Sequence, residues 1–250
     1  MSEAEELAAA KERSWRTMAA IDEAYATGTI DRDGWHAAVL DVIEPAYLAG
    51  ENPRAQSGHS GDAAHWRRAR GPLVDALPEA GGSFLDIGCA NGHLMETLTL
   101  WAGERSNPIG IEPYGVEISP RLAALAQQRH PQWAERIWSA NAMDWQPPRR
   151  FDIVRTGLNY VPAAVRPSYL THLLTEVVAP DGRLIVGVFN EETDQDSLER
   201  EVAYYGPFTI TGRTTAPHQH PALSYKAFWL SGTDGEGDGD AHGEGGGMPR

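Results

Sequence analysis

The sequence predicts an α/β protein: a doubly wound, mostly parallel sheet of seven strands with the last strand antiparallel, helices on both faces, and a helical addition at the N-terminus. Three observations carry this expectation. Between about residues 81 and 230, short apolar runs alternate with stretches of helical periodicity, the pattern of β-α-β units. The first run, "SFLDIGCANGHLMETL" (83–98), ends on an acid, breaks at a glycine-bearing loop and resumes with helical spacing. The last two, "PFTITGRTT" and "ALSYKAFWL", have strand composition and no long helix between them, so they are expected to pair antiparallel.

Taken in order, residues 1–70 read as a helical cap or lid. "DRDGWHAAVLDVIEPAYLAG" (31–50) puts Trp35, Val39, Val42, Ile43 and Tyr47 on one helical face, with Asp31 as N-cap and Gly50 as stop. The polar loop "ENPRAQSGHSGD" leads to a second short helix holding Trp66 and Leu73. Residues 71–231 form the sheet domain, with strands in "SFLDI", "YGVEI", "FDIVRT" and "RLIVGVF". Helical faces between them are marked by Leu94, Leu98 and Trp101, by Leu122, Leu125 and Ala126, and by Leu170, Leu173, Leu174, Val177 and Val178. "PDG" (180–182) is a turn into the "RLIVGVF" strand. Residues 232–250 form an acidic, glycine-rich tail with too little apolar surface to offset its ordering entropy, and are expected to be disordered.

Composition excludes several classes. A net charge of −14 argues against a protein that must hold a phosphate backbone. The densest basic cluster, "HWRRARG" (65–71), also fits the arginine face of an amphipathic helix. No apolar run approaches the roughly 20 residues that cross a bilayer, and "MSEAEELAAAKERSW" is charged where a secretory leader would be apolar. A soluble, cytoplasmic protein is expected. The single cysteine, Cys89, excludes an internal disulfide framework and a zinc site built on several thiolates. His218 and His220, flanked by prolines in "APHQHPAL", read as loop histidines, and no metal is expected.

The functional signal is the first strand–turn–helix unit. Such a turn presents backbone N–H groups and lets a ligand approach the main chain, and open α/β sheets bind ligands at the carboxyl ends of their strands. The loop "GCANG" (88–92) is G-x-x-x-G, without the third glycine of the dinucleotide fingerprint. In "YGVEISPRLAALAQ", a strand ends in Glu117 and a helix begins through Ser119 and Pro120. An acid at the tip of the second strand is placed to accept both hydroxyls of a ribose. Glu112 is a rival, but it is expected to precede the strand.

In order, "FLDIGCANG", "YGVEIS", "NAMDW", "FDIVRTGLNYVP" and "VAPDGRLIVGVFN" resemble the class I S-adenosylmethionine-dependent methyltransferases, over about residues 81–191. The resemblance implies a cofactor site in which Asp86, Gly88 and Gly92 shape the pocket for the methionine part. Cys89 lies in the same loop, as a packing residue and not a nucleophile. Glu117 would hold the ribose hydroxyls, Ile118 would pack on adenine, and Asn141 would meet the adenine amino group with the Ala142 backbone beside it. Thr156 and Gly157 would pass the methionine end. Asn141 stands where the family commonly has Asp, although its amide oxygen still accepts a hydrogen bond. "GERSNPIGIEP" also lengthens the link between the first two motifs. Trp35, Trp66 and Arg70 are candidates to line or close the site, and Arg70 to pair with the cofactor carboxylate.

A sulfonium methyl is already activated, so the chemistry needs alignment first, and a base only where the acceptor arrives protonated. Consistently, there is no "NPPY"-type segment and no cysteine placed for pyrimidine carbon. Acceptor-side candidates are Asn159 and Tyr160 after the fourth strand, with Tyr160 offering either its hydroxyl or its ring. Glu191, next to Asn190 after the fifth strand, is a further candidate as base or cation partner. His93 reads as a helix-surface residue. The expected reaction is methyl transfer from S-adenosyl-L-methionine to a small-molecule acceptor, releasing S-adenosyl-L-homocysteine. Neither a membrane nor nucleic acid is an expected partner, and a homodimer is left open. The alternatives are methylation of RNA or protein, a nicotinamide-dependent oxidoreductase, and cofactor binding without transfer.

Overall fold

The computed structural model describes residues 16–193, 197–219, 221 and 223–231, with the backbone alone for 188–193 and 197. The expected tail and His220 lie outside the described residues.

The chain enters through helix α1 (16–26) and helix α2 (Arg32–Leu48). Asp31 caps α2 as expected, its side chain accepting from Gly34 N–H at 2.8 Å. The second short helix divides in two, because Pro72 lacks an N–H to continue it: α3 (Ala63–Arg70) and α4 (Pro72–Asp75). Then follow β1 (Gly82–Ile87), α5 (His93–Gly103), β2 (Ile111–Glu117), α6 (Pro120–Arg129), β3 (Ile137–Ser139) and β4 (Phe151–Thr156). The chain continues through α7 (Arg166–His172), β5 (Val178–Thr193), α8 (Ser197–Tyr204), β6 (Ile210–Pro217) and β7 (Leu223–Ser231). After α7 the helix widens over Leu173–Val177 before Val178 opens β5, so the single helical face expected there spans a helix, a wide turn and a strand start.

The sheet has seven strands in the order β3-β2-β1-β4-β5-β7-β6. Pairings are parallel from β3 to β5, and β7 runs antiparallel to both β5 and β6. One antiparallel strand in a mixed sheet is the expected arrangement. Strand alternation sends successive residues to opposite cores. Leu85 and Val154 join one apolar cluster with Tyr169 and Leu174, while Phe84 and Ile153 join the other with Met95 and Leu98.

Two local expectations are corrected. "PDG" is not a turn ahead of the strand but lies inside it: Val178 pairs with Phe151 and Arg183 with Ile153, so Ala179–Gly182 bulge opposite Asp152 within one continuous strand. Glu112 lies inside β2, at the end remote from Glu117, and pairs with Arg136 at 2.8 Å. Among the described residues, no helix is long and apolar enough to cross a membrane, and no cluster of three His, Cys, Asp or Glu could hold a metal.

Strand β1 lies between β2 and β4, where the strand order reverses. The crevice above its carboxyl end is the place such sheets bind ligands. Beside it, His59 packs edge-on to Trp66 and His65 with its Nε2 buried. Burial, helped by nearby Arg70, pushes its pKa down to about 4. A histidine depressed in the fold resists protonation that the unfolded chain accepts, so its contribution is present above the unfolded value near 6.5 and lost as pH falls toward 4. Thermal melts at pH 7.5 and 5.5 should therefore show a smaller acid loss for His59→Gln than for the parent. The difference is about 1 kcal/mol after allowing for solvent at this partly exposed ring.

Candidate functional site

The carboxyl ends of β1 to β4 and the inner face of α2 enclose a cavity of about 510 Å³. Its floor is built from the loops that follow each strand: Gly88 and Ala90, Glu117 and Ile118, Asn141 and Ala142, Asn159 and Tyr160. Trp35, Val39 and Ile43, spaced one turn apart, roof it together with His36 and Tyr47.

Glu117 is the best-fixed group in the cavity. It is 5% exposed, its Oε2 accepts from Ala90 N–H at 2.8 Å, and its Oε1 accepts from Ser119 N–H at 2.9 Å. Ala90 adopts φ +47, an uncommon conformation for a residue with a Cβ, which holds its N–H toward the acid. Burial pushes the Glu117 carboxyl up, and the two amides oppose that shift. Each oxygen keeps a second lone pair, so the carboxylate can accept from two further donors.

The roof is fastened to the same loops. Ser57 donates to Asn91 Oδ1 at 2.6 Å, and Asn91 Nδ2 donates to Pro53 O at 2.9 Å. Glu44 accepts from Ser119 Oγ and pairs with Arg121 at 3.0 Å. Arg32 pairs with Asp144 at 2.6 Å. His36 lies 3.5 Å from Asn141 Nδ2, with its Nδ1 3.0 Å from Arg32 O.

Beneath the β1 loop lies a buried charge cluster. Asp86 and Arg155, register partners on β1 and β4, form a 3.0 Å ion pair and are 1% and 2% exposed. Burial pushes the Asp86 carboxyl up, and Arg155 opposes it. Arg155 also bonds the Tyr160 hydroxyl, while burial pushes that phenol up. Arg70 stacks on Trp66 at 4.9 Å, and its pKa falls to about 10 through burial and repulsion from Arg155.

Of the residues singled out in the sequence, Gly88, Glu117, Ile118, Asn141, Ala142, Asn159, Tyr160 and Trp35 meet at the cavity. Tyr160 presents its ring there, because its hydroxyl is committed to Arg155. The Asn141 amide oxygen is already engaged by Met143 N–H at 3.1 Å.

Seven others do not line the cavity. Asp86 is turned to Arg155. Cys89 packs against Gly115, beside Met95, and burial raises its thiol pKa well above the ordinary range. Gly92 faces His130 at the start of α5. The Thr156 hydroxyl pairs with the Tyr169 hydroxyl at 2.7 Å. Gly157 is covered by Asn159 and Tyr160, and Arg70 lies behind, on Trp66. Trp66 is core, stacked on His93 and donating to Thr97 Oγ1. Glu191 lies in the backbone of β5, and its side chain is outside what is described. The cavity also recruits Met18, Asp22, His36, Arg166 and Tyr169, which the sequence reading passed over.

Residues 62–221 match a family model described as "Methyltransferase domain". No curated protein matches the chain. Among solved structures, a Burkholderia thailandensis 1,6-didemethyltoxoflavin-N1-methyltransferase, bound to 1,6-didemethyltoxoflavin and S-adenosylhomocysteine, is 19% identical with a TM-score of 0.59. The match covers 82% of this chain and 92% of that one. The N-methyltransferase NodS from Bradyrhizobium japonicum WM9 is 18% identical with a TM-score of 0.53, covering 69% and 98%. A magnesium protoporphyrin IX methyltransferase from Synechocystis PCC 6803 with bound SAM is 17% identical with a TM-score of 0.51, covering 80% and 94%.

Gly88 has φ +68, and a Cβ there would lie 2.8 Å from the Tyr160 ring. A side chain at 88 would therefore meet the Tyr160 ring first. Gly88→Ala should cost about 1–3 kcal/mol in urea denaturation through backbone strain and this clash. Combining it with Tyr160→Ala should recover part of the loss. Strict additivity of the two substitutions would show that the ring does not cover Gly88.

Proposed function

The chain belongs to the methyltransferase-domain family, and from that membership we propose that it transfers the methyl group of S-adenosylmethionine to a small-molecule acceptor. The observation that carries this reading is Glu117: an acid at the tip of β2, buried, fixed by two backbone amides and lining the cavity. An acceptor-only carboxylate with lone pairs to spare suits the paired hydroxyls of a ribose. Ile118 and Ala142 border the adenine side, and Gly88, with the Tyr160 ring over its Cβ position, forms the adjoining floor. Arg70, stacked on Trp66 behind the β1 loop and outside the cavity lining, is assigned a through-space attraction for the cofactor carboxylate, opposed by the buried acids Asp86 and Glu117.

When bound, S-adenosylmethionine supplies a methyl group on a positively charged sulfur, already activated for attack. The protein's part is to hold the acceptor in line with that carbon and keep water away, and positioning of this kind contributes roughly 7–11 kcal/mol in favourable cases. The helices within residues 16–70 act as the cap, clasped to the loops after β1, β2 and β3. A roofed cavity favours a compact acceptor over a polymer, which needs an open groove. The named acceptors of two structural neighbours, 1,6-didemethyltoxoflavin and magnesium protoporphyrin IX, are of that kind.

Glu117→Ala should weaken S-adenosylhomocysteine binding by ten- to a hundredfold in calorimetry, the range for hydrogen bonds to a charged group. It should also lower stability, because the acid ties two loops together; unchanged affinity would remove it from the ribose site. Arg70→Leu should weaken S-adenosylhomocysteine by about tenfold, yet leave 5′-methylthioadenosine, which lacks the carboxylate, within about twofold. Equal losses for both ligands would assign Arg70 to the fold and not to the cofactor.

A further inference from the structure

We propose that the acceptor is an uncharged, flat, largely apolar molecule, methylated on a ring nitrogen that carries its own lone pair. The proposal rests on the methyltransferase reading and deepens it. Beyond the nucleoside end, the cavity is walled by Trp35, Val39, Tyr160, Val161, Ala163 and Tyr169. The polar atoms on this side already have partners. Trp35 Nε1 donates to Asp22 Oδ1 at 2.8 Å, the Tyr169 hydroxyl pairs with Thr156, and the Tyr160 hydroxyl bonds Arg155. Arg166 donates to Leu158 O at 3.0 Å and pairs with Glu201 at 2.7 Å. A charged acceptor would lose its hydration here and meet charges that are already paired. The Asn159 side chain makes no hydrogen bond among the described residues, so its amide is the handle for one polar edge of the acceptor.

Two groups on this side could take a proton, His36 and Asp22, and the fold suits neither to the task. His36 has Nδ1 3.0 Å from the Arg32 carbonyl and 3.5 Å from Asn141 Nδ2. Burial pushes its pKa down, so the ring is a weak base. The two phenols are held protonated by burial, and Asp22 stands at the exposed mouth, bound to Trp35. A hydroxyl or ammonium acceptor would need one of these groups to take its proton, whereas a ring nitrogen with a free lone pair needs none. That lone pair forms the new N–C bond while the C–S bond breaks, its electron pair staying on sulfur. Positive charge thus passes from sulfur to the ring, and no proton moves. The aromatic faces of Trp35 and Tyr160 suit the cation so formed.

The test uses the full chain with quinoline and isoquinoline as neutral azine probes, against 2-naphthol and quinoline-4-carboxylate. Calorimetry on the S-adenosylhomocysteine complex should give at least about tenfold tighter binding of quinoline than of its carboxylate. Mass spectrometry should detect the N-methylated azines, formed at a rate that is flat between about pH 6.5 and 9. Trp35→Leu should weaken quinoline by about tenfold, with S-adenosylhomocysteine affinity kept within about twofold. Faster O-methylation of 2-naphthol, a rate that climbs with pH, or tighter binding of the carboxylate would each overturn the proposal. So would failure of both azines to bind a complex that holds S-adenosylhomocysteine normally. Failure to bind S-adenosylhomocysteine at all would instead overturn the methyltransferase reading beneath it.

Discussion

The grip of Glu117 on the Ala90 and Ser119 amides organises everything around the cavity. One carboxylate at the end of β2 fixes the turn after β1 and the entry to α6, so two loops that share no covalent link behave as one rim. Its cost is the burial of a charge, which two charge-assisted hydrogen bonds offset. Ala90 is held at φ +47 in the same arrangement. The roof then attaches to residues whose positions that rim dictates: Asn91 lies next to Ala90, and Ser119 both donates to Glu117 and meets Glu44 of α2. The cap and the rim are therefore coupled through single residues.

A second layer of constraint lies beneath. Asp86 and Arg155 are buried side by side, and removing one partner of such a pair typically costs about 3–5 kcal/mol because the other charge is left uncompensated. The pair does more than balance charge. Through its bond to the Tyr160 hydroxyl, Arg155 lays the ring over Gly88 and Gly157, and so decides which face of that residue the cavity sees. Of the two roles open to this tyrosine in the sequence, hydroxyl or ring, the fold presents the ring to the cavity. The chemistry available on the acceptor side shifts accordingly, from hydrogen-bond recognition toward packing.

Much of the architecture was legible because it rests on short-range rules. Period-two and period-3.6 patterns located the strands and helices, Asp31 and Ser119 announced their caps, and the acid at a strand tip pointed to Glu117. What was not legible depends on partners far apart in the chain. Asp86 and Arg155 are 69 residues apart, and only sheet register brings them together. A charge within the otherwise apolar "FDIVRT", matched by the acid in "FLDI", was the available sign. His36 hid beside Trp35, since a helix wheel assigns it to the cavity only once the orientation of α2 is known. The "PDG" turn misled for a related reason: local turn chemistry is satisfied just as well inside a bulge when the flanking residues hold their pairing.

Fixed groups also bear on why the site carries so little conventional catalytic equipment. A base must change protonation state during turnover, and the titratable groups around this cavity are held by the fold. Glu117 is tied to amides, Asp86 to Arg155, and His36 to the Arg32 carbonyl, with burial pushing its pKa down. Each would lose a hydrogen-bond partner, or gain a repulsive one, by taking on a role in proton transfer. A cavity assembled this way performs alignment well and acid–base work poorly. Transfer from an activated sulfonium to a lone pair is the reaction for which alignment alone suffices.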